Sequence, residues 1–234
     1  MIVLRMPGTS RFERLAGRLC GESRSVEVHR FPDGERCVRI TGTVLEEDAV
    51  LLGDLRPDDE VLSLLFAAAT ARDLGAVSLG LVSPYLPYLR QDASFRAGEG
   101  VTARYFARLL SQAVDWLVTV DPHLHRIPAL SKLFDIPVET VHAAPVLAQW
   151  IQRHVEAPLI LGPDAESIQW VADIARRLDA PYAVLGKRRT GDRRVEITLP
   201  DLTSHDGRHP VLVDDIISSG ATMASAVRAL RFSG

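Results

Sequence analysis

The segment PVLVDDIISSGATM, residues 210–223, places two adjacent carboxylates directly before a run of very small side chains. Val211 to Val213 favour β structure and show no polar alternation, which predicts a short parallel strand covered on both faces. Apolar residues at helical spacing follow from Met223 onward, so we predict a strand, a tight loop and a helix in that order.

This predicted loop has the chemistry of a sugar-phosphate site. A loop leading into a helix N-terminus offers unpaired N–H groups and the positive end of the helix dipole, which favours phosphate. The acids Asp214 and Asp215 would repel a phosphate, but they could bind hydroxyl groups or a metal ion beside it. An ordinary strand-to-helix turn with solvated acids remains the alternative for this loop taken alone.

Other polar stretches also follow apolar strands, where open α/β sheets bind ligands. Arg90 and Gln91 lie in SPYLPYLRQD, and the arginine could bind a phosphate or a base edge. The turn FPDGE, residues 31–35, carries an aromatic ring and two acids. A solvated arginine and a plain turn are the alternatives for these two stretches.

Two further strand ends carry candidate metal ligands, His123 in TVDPHLHR and Asp164 in ILGPDAES. We expect the rings of His123 and His125 to point in opposite directions, so that only one of them could bind a given metal ion. His123 and Asp164 could instead converge on one hard divalent cation. Magnesium, which keeps several waters and takes few protein ligands, is the predicted ion.

The stretch GKRRTGDRR, residues 186–194, concentrates positive charge in a segment that we predict to be a projecting loop or ribbon. A solvated run of charges is the simpler interpretation. In a protein of net charge −3, a cationic segment beside carboxylate sites also suits a polyphosphate substrate. Cations on a mobile loop could cover the reacting phosphates.

The scaffold that must position these segments alternates between strands and helices. We predict strands at Ile2–Leu4, Val50–Leu52, Val77–Val82, Trp116–Val120, Leu159–Leu161, Tyr182–Leu185 and Val211–Val213. We predict helices at Asp59–Leu74, Ala103–Ala113, Ala144–His154 and Ser167–Leu178. The alternation predicts an α/β fold with mostly parallel strands, and Val26–Phe31 with Cys37–Thr41 should form a hairpin. A boundary near residue 143 divides the chain into candidate domains 1–143 and 144–234.

Composition narrows the class of protein. The 234 residues are 47% hydrophobic and 24% charged, which is typical of a globular protein with one large or two modest domains. A net charge of −3 disfavours nucleic acid as a partner, and the richest apolar stretch, Val61–Ala71, is too short to span a membrane. Cys20 and Cys37 suggest neither a metal site nor a disulfide framework, which fits a cytoplasmic protein.

The segments FPDGE, SPYLPYLRQD, DPHLHR, LFDIPV, GPD, KRR and VLVDDIISSGATM occur in the order found in ribose-phosphate pyrophosphokinases, and the chain resembles that family from near residue 1 to its last helix. The resemblance implies two phosphoribosyltransferase-like domains with mostly parallel central sheets. It implies a homo-oligomer whose ATP site is completed by a neighbouring subunit. The implied reaction transfers the diphosphate of ATP to the 1-hydroxyl of ribose 5-phosphate, giving phosphoribosyl pyrophosphate and AMP.

The resemblance also assigns site residues by position. Those at the ATP site would be Phe31, Asp33, Gly34, Glu35, Arg90 and Gln91. Those at the ribose 5-phosphate site would be Arg189, Asp214, Asp215, Ser218, Ser219, Gly220, Ala221 and Thr222. His123 and Asp164 match the magnesium-binding positions, Lys187 the catalytic lysine, and Arg189 the arginine beside it.

Two other functions remain open from the sequence. A phosphoribosyltransferase that consumes the same product would share the ribose loop, but it needs no ATP site, so FPDGE and RQD argue against it. A non-catalytic regulatory paralogue is disfavoured by Lys187. Members of the family usually continue past the last helix, so the second domain is expected to be incomplete, which favours the paralogue.

Overall fold

Strands and helices alternate along the computed structural model, which describes residues 1–8, 12–19, 22–56, 58–189 and 195–232. The chain divides into two compact units, Met1–Val141 and His142–Gly234. The sheets of both units are mostly parallel, which confirms the predicted α/β class. No helix in the described ranges has the length and apolar character needed to cross a membrane.

A seven-stranded sheet forms the centre of the first unit. Its strands are β1 Ile2–Arg5, β2 Ser23–Arg30, β3 Arg36–Ile40, β4 Asp48–Leu52, β5 Ser78–Val82, β6 Trp116–Val120 and β7 Val138–Val141. Its helices are α1 Glu13–Leu19, α2 Asp58–Asp73 and α3 Thr102–Ala113. The strand order is β3-β2-β1-β4-β5-β6-β7, and only the hairpin of β2 and β3 is antiparallel. The loops after β4, β5 and β6 therefore begin at one edge of the sheet.

Apolar side chains cover both faces of this sheet, which explains why its central strands show no polar alternation. Leu51 lies in the larger core cluster with Leu64 of α2 and Leu110 of α3, whereas the adjacent Leu52 lies in a second cluster with Ala16 of α1. Close packing also requires a residue without a side chain at position 80. A Cβ on Gly80 would lie 2.0 Å from a ring carbon of Trp116, so β5 and β6 could not accommodate both side chains.

The second unit contains a three-stranded parallel sheet in the order β12-β8-β9. Its strands are β8 Pro158–Gly162, β9 Tyr182–Val184 and β12 His209–Leu212. Its helices are α4 Ala144–His154, α5 Ile168–Leu178 and α6 Ala221–Phe232. Ile160, Val171 and Ile174 form the centre of its core. A separate antiparallel ribbon joins β10 Gly186–Arg189 to β11 Val195–Thr198, and residues 190–194 of the predicted cationic loop lie outside the described residues.

The structure differs in one feature from the prediction for residues 210–223. The strand β12 lies at an edge of its sheet in the described residues, with Pro210 exposed and Val211 and Leu212 half-buried. The prediction of a strand covered on both faces is therefore wrong, and only Val213, just past its end, is buried. Two elements, α1 and β7, had no counterpart in the sequence prediction.

Candidate active site

The turn between β2 and β3 holds the predicted ATP-site residues Phe31 to Glu35 in a defined shape. The N–H of Phe31 donates to the carbonyl of Glu35 at 2.8 Å, and the carboxylate of Asp33 accepts from the N–H of Glu35 at 3.0 Å. Gly34 adopts φ +98°, a conformation that other residues rarely take. The ring of Phe31 contacts His29 edge to face and keeps 42% of its surface exposed, so it could stack on a base.

The loop after β5 carries Arg90 and Gln91 in different environments. Arg90 is exposed, whereas Gln91 is half-buried and donates from its side-chain amide to the carbonyl of Ala93 at 3.2 Å. The same amide lies 3.3 Å from the carboxylate of Glu99, which also accepts two backbone N–H groups of the loop. Gln91 therefore helps to set the shape of the loop, and its contact with ATP stays a prediction.

An ion pair that the sequence analysis missed joins the loops after β5 and β6. The side chain of Asp92 is only 2% exposed and accepts from the guanidinium of Arg126 at 2.8 Å and from its backbone N–H at 3.1 Å. The guanidinium also lies over the ring of Phe95, 5.0 Å from its centre. Both residues follow strands that are neighbours in the sheet, and this shared edge was the signal that could have revealed the pair.

The prediction that His123 and His125 point in opposite directions is wrong. Their Nε2 atoms are 2.7 Å apart, and their rings meet at 90° with centres 4.1 Å apart. Successive side chains of an extended chain alternate, so residues two apart lie on the same side. Leu124, between them, packs against the core of the first unit, which leaves both imidazoles on the other side of the loop.

The second unit gathers three acids at the carboxyl ends of two paired strands. Asp164 follows β8, and its carboxylate accepts from the N–H of Glu166 at 3.1 Å, capping the short 3-10 turn that leads to α5. Asp214 and Asp215 follow β12, the neighbour of β8. Burial, together with the negative charges of Asp215 and Asp164, raises the pKa of Asp214 to about 6. This concentration of carboxylate oxygens suits hydroxyl groups or a hard cation.

The small-residue loop next to these acids connects β12 to α6, which confirms the predicted order of strand, loop and helix. In the part of the chain that the structure describes, the backbone N–H groups of Ser218, Ser219 and Gly220 donate to no protein acceptor. Gly220 has φ +74°, and its carbonyl accepts from the N–H of Ala224 at 2.8 Å as α6 begins. Ala221 and Thr222 form the first turn of that helix, whose dipole adds to the attraction for an anion.

The two predicted cationic residues lie in the ribbon. Lys187 and Arg189 belong to β10, where they pair with Ile197 and Val195 of β11. Of the two predicted forms, a loop or a ribbon, the structure shows a ribbon at β10 and β11. The roles of Lys187 and Arg189 stay predictions.

An α/β protein of phosphoribosyltransferase type is defined by this fold and these loops, and comparisons with known proteins narrow the class. The family model described as the N-terminal domain of ribose phosphate pyrophosphokinase matches residues 10–113. The model described as the phosphoribosyl transferase domain matches residues 133–234. The chain belongs to the ribose-phosphate pyrophosphokinase family, which confirms the resemblance found in the sequence.

Individual relatives agree with the family models. The chain is 37% identical over 239 residues to the ribose-phosphate pyrophosphokinase of Methanopyrus kandleri, covering 100% of this chain and 80% of that protein. It is 35% identical over 209 residues to the ribose-phosphate pyrophosphokinase of Saccharolobus solfataricus, covering 87% of this chain and 70% of that protein. The crystal structure of phosphoribosylpyrophosphate synthetase from Mycobacterium smegmatis is similar, with a TM-score of 0.85 and 26% identity over 100% of this chain and 77% of that chain.

Proposed function

We propose that this chain transfers the diphosphate of ATP to the 1-hydroxyl of ribose 5-phosphate, giving phosphoribosyl pyrophosphate and AMP. Membership of the family makes the chain a transferase of this kind. The observation that carries the proposal is the small-residue loop, where three backbone amides have no acceptor among the described residues and lie next to paired acids. A sugar phosphate is the ligand that needs both groups.

Ribose 5-phosphate is proposed to bind at the end of β12. The amides of Ser218 to Gly220 and the first turn of α6 would hold its phosphate, while Asp214 and Asp215 would accept from the ribose hydroxyls. Asp214 accepts best when it is ionised, so its raised pKa favours binding at neutral or higher pH. The acids repel the phosphate, so the phosphate would bind at the amides and the hydroxyls at the acids. The sugar phosphate would therefore bind in one orientation.

ATP is proposed to bind in the first unit, with Phe31 stacked on the adenine and Arg90 on a phosphate. The turn at Gly34 and the loop that Gln91 braces are already folded, so little order would have to be gained on binding. The in-line attack of the sugar hydroxyl on the β-phosphorus requires alignment and charge neutralisation rather than covalent catalysis. Lys187 and Arg189 are proposed to supply positive charge as negative charge shifts toward the leaving AMP.

Magnesium is the proposed cofactor, and it would neutralise phosphate charge when bound. The carboxylates of Asp164 and Asp214, which interact electrostatically, are oxygen donors of the kind that Mg²⁺ prefers, so the residues of the second unit fit this ion. His123 offers nitrogen instead, and its role toward Mg²⁺ stays a prediction. A homo-oligomer with a shared ATP site, a cytoplasmic location and the domain ranges 1–143 and 144–234 are also retained as predictions.

The test is AMP formation by the purified chain supplied with Mg²⁺, ATP and ribose 5-phosphate, with each substrate omitted in turn. Phosphorus NMR should show phosphoribosyl pyrophosphate only when both are present. The phosphoribosyltransferase alternative is not favoured, since the N-terminal family model matches a pyrophosphokinase domain. Consumption of phosphoribosyl pyrophosphate with a free base, without synthesis from ATP, would support it. Binding of both substrates without turnover would support the regulatory paralogue.

A further inference from the structure

The converging imidazoles of His123 and His125 have a donor chemistry that differs from that of the acids in the second unit. Imidazole nitrogen suits borderline first-row dications such as Mn²⁺, Co²⁺, Ni²⁺ and Zn²⁺, whereas Mg²⁺ prefers oxygen. In this pair both Nε2 atoms reach the same point from one short loop, 2.7 Å apart. Two nitrogens bound at about 2.1 Å to one ion lie roughly 3.0–3.4 Å apart, so a small opening of the pair would admit a cation.

The loop that carries this histidine pair is fixed on both sides. Before the pair, Asp121 donates from its N–H to the carbonyl of Val141 at 3.1 Å, and Pro122 is buried. Leu124 packs into the core between the two histidines. After the pair, the backbone N–H of Arg126 is bound by the buried carboxylate of Asp92. The convergence of the rings is therefore imposed by anchored backbone on either side, and such preorganisation favours binding of an ion.

We propose that His123 and His125 together bind one first-row transition-metal dication through their Nε2 atoms. The hydrogen bond that the close Nε2 atoms can form, with one neutral imidazole donating, is exchanged on binding for two nitrogen–metal bonds. The remaining coordination positions would be filled by water or by phosphate oxygens. The inference deepens the proposed function, because His123 is one of its metal residues, and it adds His125 and a second class of ion to that function.

The experiment measures metal binding by the full chain after treatment with a chelator, with no nucleotide or sugar present. Ni²⁺ is titrated by calorimetry, and the absorption bands of bound Co²⁺ report nitrogen ligation. The variants are His125→Gln and His123→Gln, which remove one imidazole each. The control is His154→Gln, which removes an exposed histidine that is stacked on Trp150 of α4.

We expect His125→Gln to weaken Ni²⁺ binding by at least about 10-fold, the lower end of the effect of altering even the outer shell of a metal site. The Co²⁺ spectrum should shift with it, while His154→Gln should bind like the unchanged chain. Circular dichroism confirms that each variant is folded. Equal Ni²⁺ affinity and the same Co²⁺ spectrum in His125→Gln and the unchanged chain would overturn the proposal. Failure of phosphoribosyl pyrophosphate synthesis with Mg²⁺ would instead count against the proposed function, since this titration contains no substrate.

Discussion

The candidate-site loops of the two units differ in how their charges are balanced by neighbouring protein groups. In the first unit, opposite charges join neighbouring loops, as Asp92 and Arg126 do, and a cation–π contact places Arg56 4.3 Å from the ring centre of Tyr85. In the second unit, carboxylates lie beside carboxylates, and the backbone N–H groups of Ser218, Ser219 and Gly220 have no protein acceptor among the described residues. The contacts described for the first unit therefore pair opposite charges, whereas those described for the second unit bring like charges together beside backbone donors that could bind an anion.

The largest effect should come from the ribbon of the second unit. Lys187→Ala should raise the barrier to turnover by about 3 kcal/mol, since a cation that meets charge mainly in the transition state affects the rate before it affects binding. The measurement is kcat for AMP formation together with ribose 5-phosphate affinity by calorimetry. Lys132→Ala in the first unit serves as the control. An unchanged kcat would remove Lys187 from the mechanism.

The second-largest effect should come from removing the Asp92–Arg126 ion pair of the first unit. Arg126→Ala leaves the carboxylate of Asp92 buried with a backbone N–H as its one remaining donor in the described part of the chain, so we expect a loss of about 2 kcal/mol in unfolding free energy. Arg177→Ala is the matched control, because its pair with Asp173 is exposed on α5 and should contribute less than about 0.5 kcal/mol. Urea unfolding measures both changes. Similar losses of unfolding free energy would mean that the Asp92–Arg126 pair stabilises the protein no more than an exposed surface ion pair does.

A conformational comparison uses two glycines that have positive φ and open space where a Cβ would point. Gly220 has φ +74° in the second unit, and Gly98 has φ +87° in the first. Gly220→Val should weaken ribose 5-phosphate binding by roughly 10-fold or more, because a strained conformation of this kind costs about 1–3 kcal/mol. Backbone strain rather than crowding within the protein is the reason, since a Cβ at this position would meet no described atom within 4 Å.

Separate calorimetric titrations with ATP and ribose 5-phosphate compare the two glycine variants. Gly220→Val should leave ATP binding largely intact, whereas Gly98→Val should spare ribose 5-phosphate binding. Equal loss of both ligands in Gly220→Val would indicate damage to folding or assembly, and unchanged ribose 5-phosphate affinity would mean that this loop does not bind the sugar phosphate.

The smallest effect concerns pH. The pKa of Asp214 is raised to about 6 in the folded protein, so the folded state holds its proton more tightly, and stability falls as pH rises from about 4 to 6. Asp214→Asn should therefore gain melting temperature relative to the unchanged chain at pH 7, and show little difference at pH 4. Hydrogen bonds from Thr203 lower the pKa of Asp201, so Asp201→Asn should show the opposite trend. Parallel trends in the two variants would mean that burial and the neighbouring carboxylates do not destabilise the ionised form of Asp214.

Local patterns in the sequence predicted most elements of the fold. The strand Trp116–Val120 and the helix Ala144–His154 were predicted with the bounds that the structure has. The strand β7, Val138–Val141, was missed because it is only four residues long and places Glu139 and Thr140 side by side between two valines, which gives neither an apolar run nor an alternation. The helix α1 has Leu15, Ala16 and Leu19 at helical spacing, but it was missed because it is only seven residues long and contains Gly17, a poor helix former.

The contacts within the candidate sites were less predictable. Asp92 and Arg126 are 34 residues apart, and their pairing depends on which strands are neighbours in the sheet. The sequence does contain a signal for the convergence of His123 and His125, because residues two apart in an extended chain lie on the same side. The raised pKa of Asp214 comes first from burial, then from Asp215, and then from Asp164, which precedes it by fifty residues and follows a different strand.

The β2–β3 hairpin also has a consequence for the order in which the chain folds. Within the hairpin, Val26 pairs with Ile40 and Arg30 with Arg36, so the partners in this antiparallel pairing are close in sequence. The parallel pairing of Ile2 with Ala49 must instead close a loop of more than forty residues. Hairpins form in microseconds, and distant pairings form more slowly, so the turn carrying Phe31 should be protected early. Pulsed hydrogen exchange during refolding should show amide protection at Val28 before Val50, and the reverse order would mean that the parallel strands nucleate the first unit.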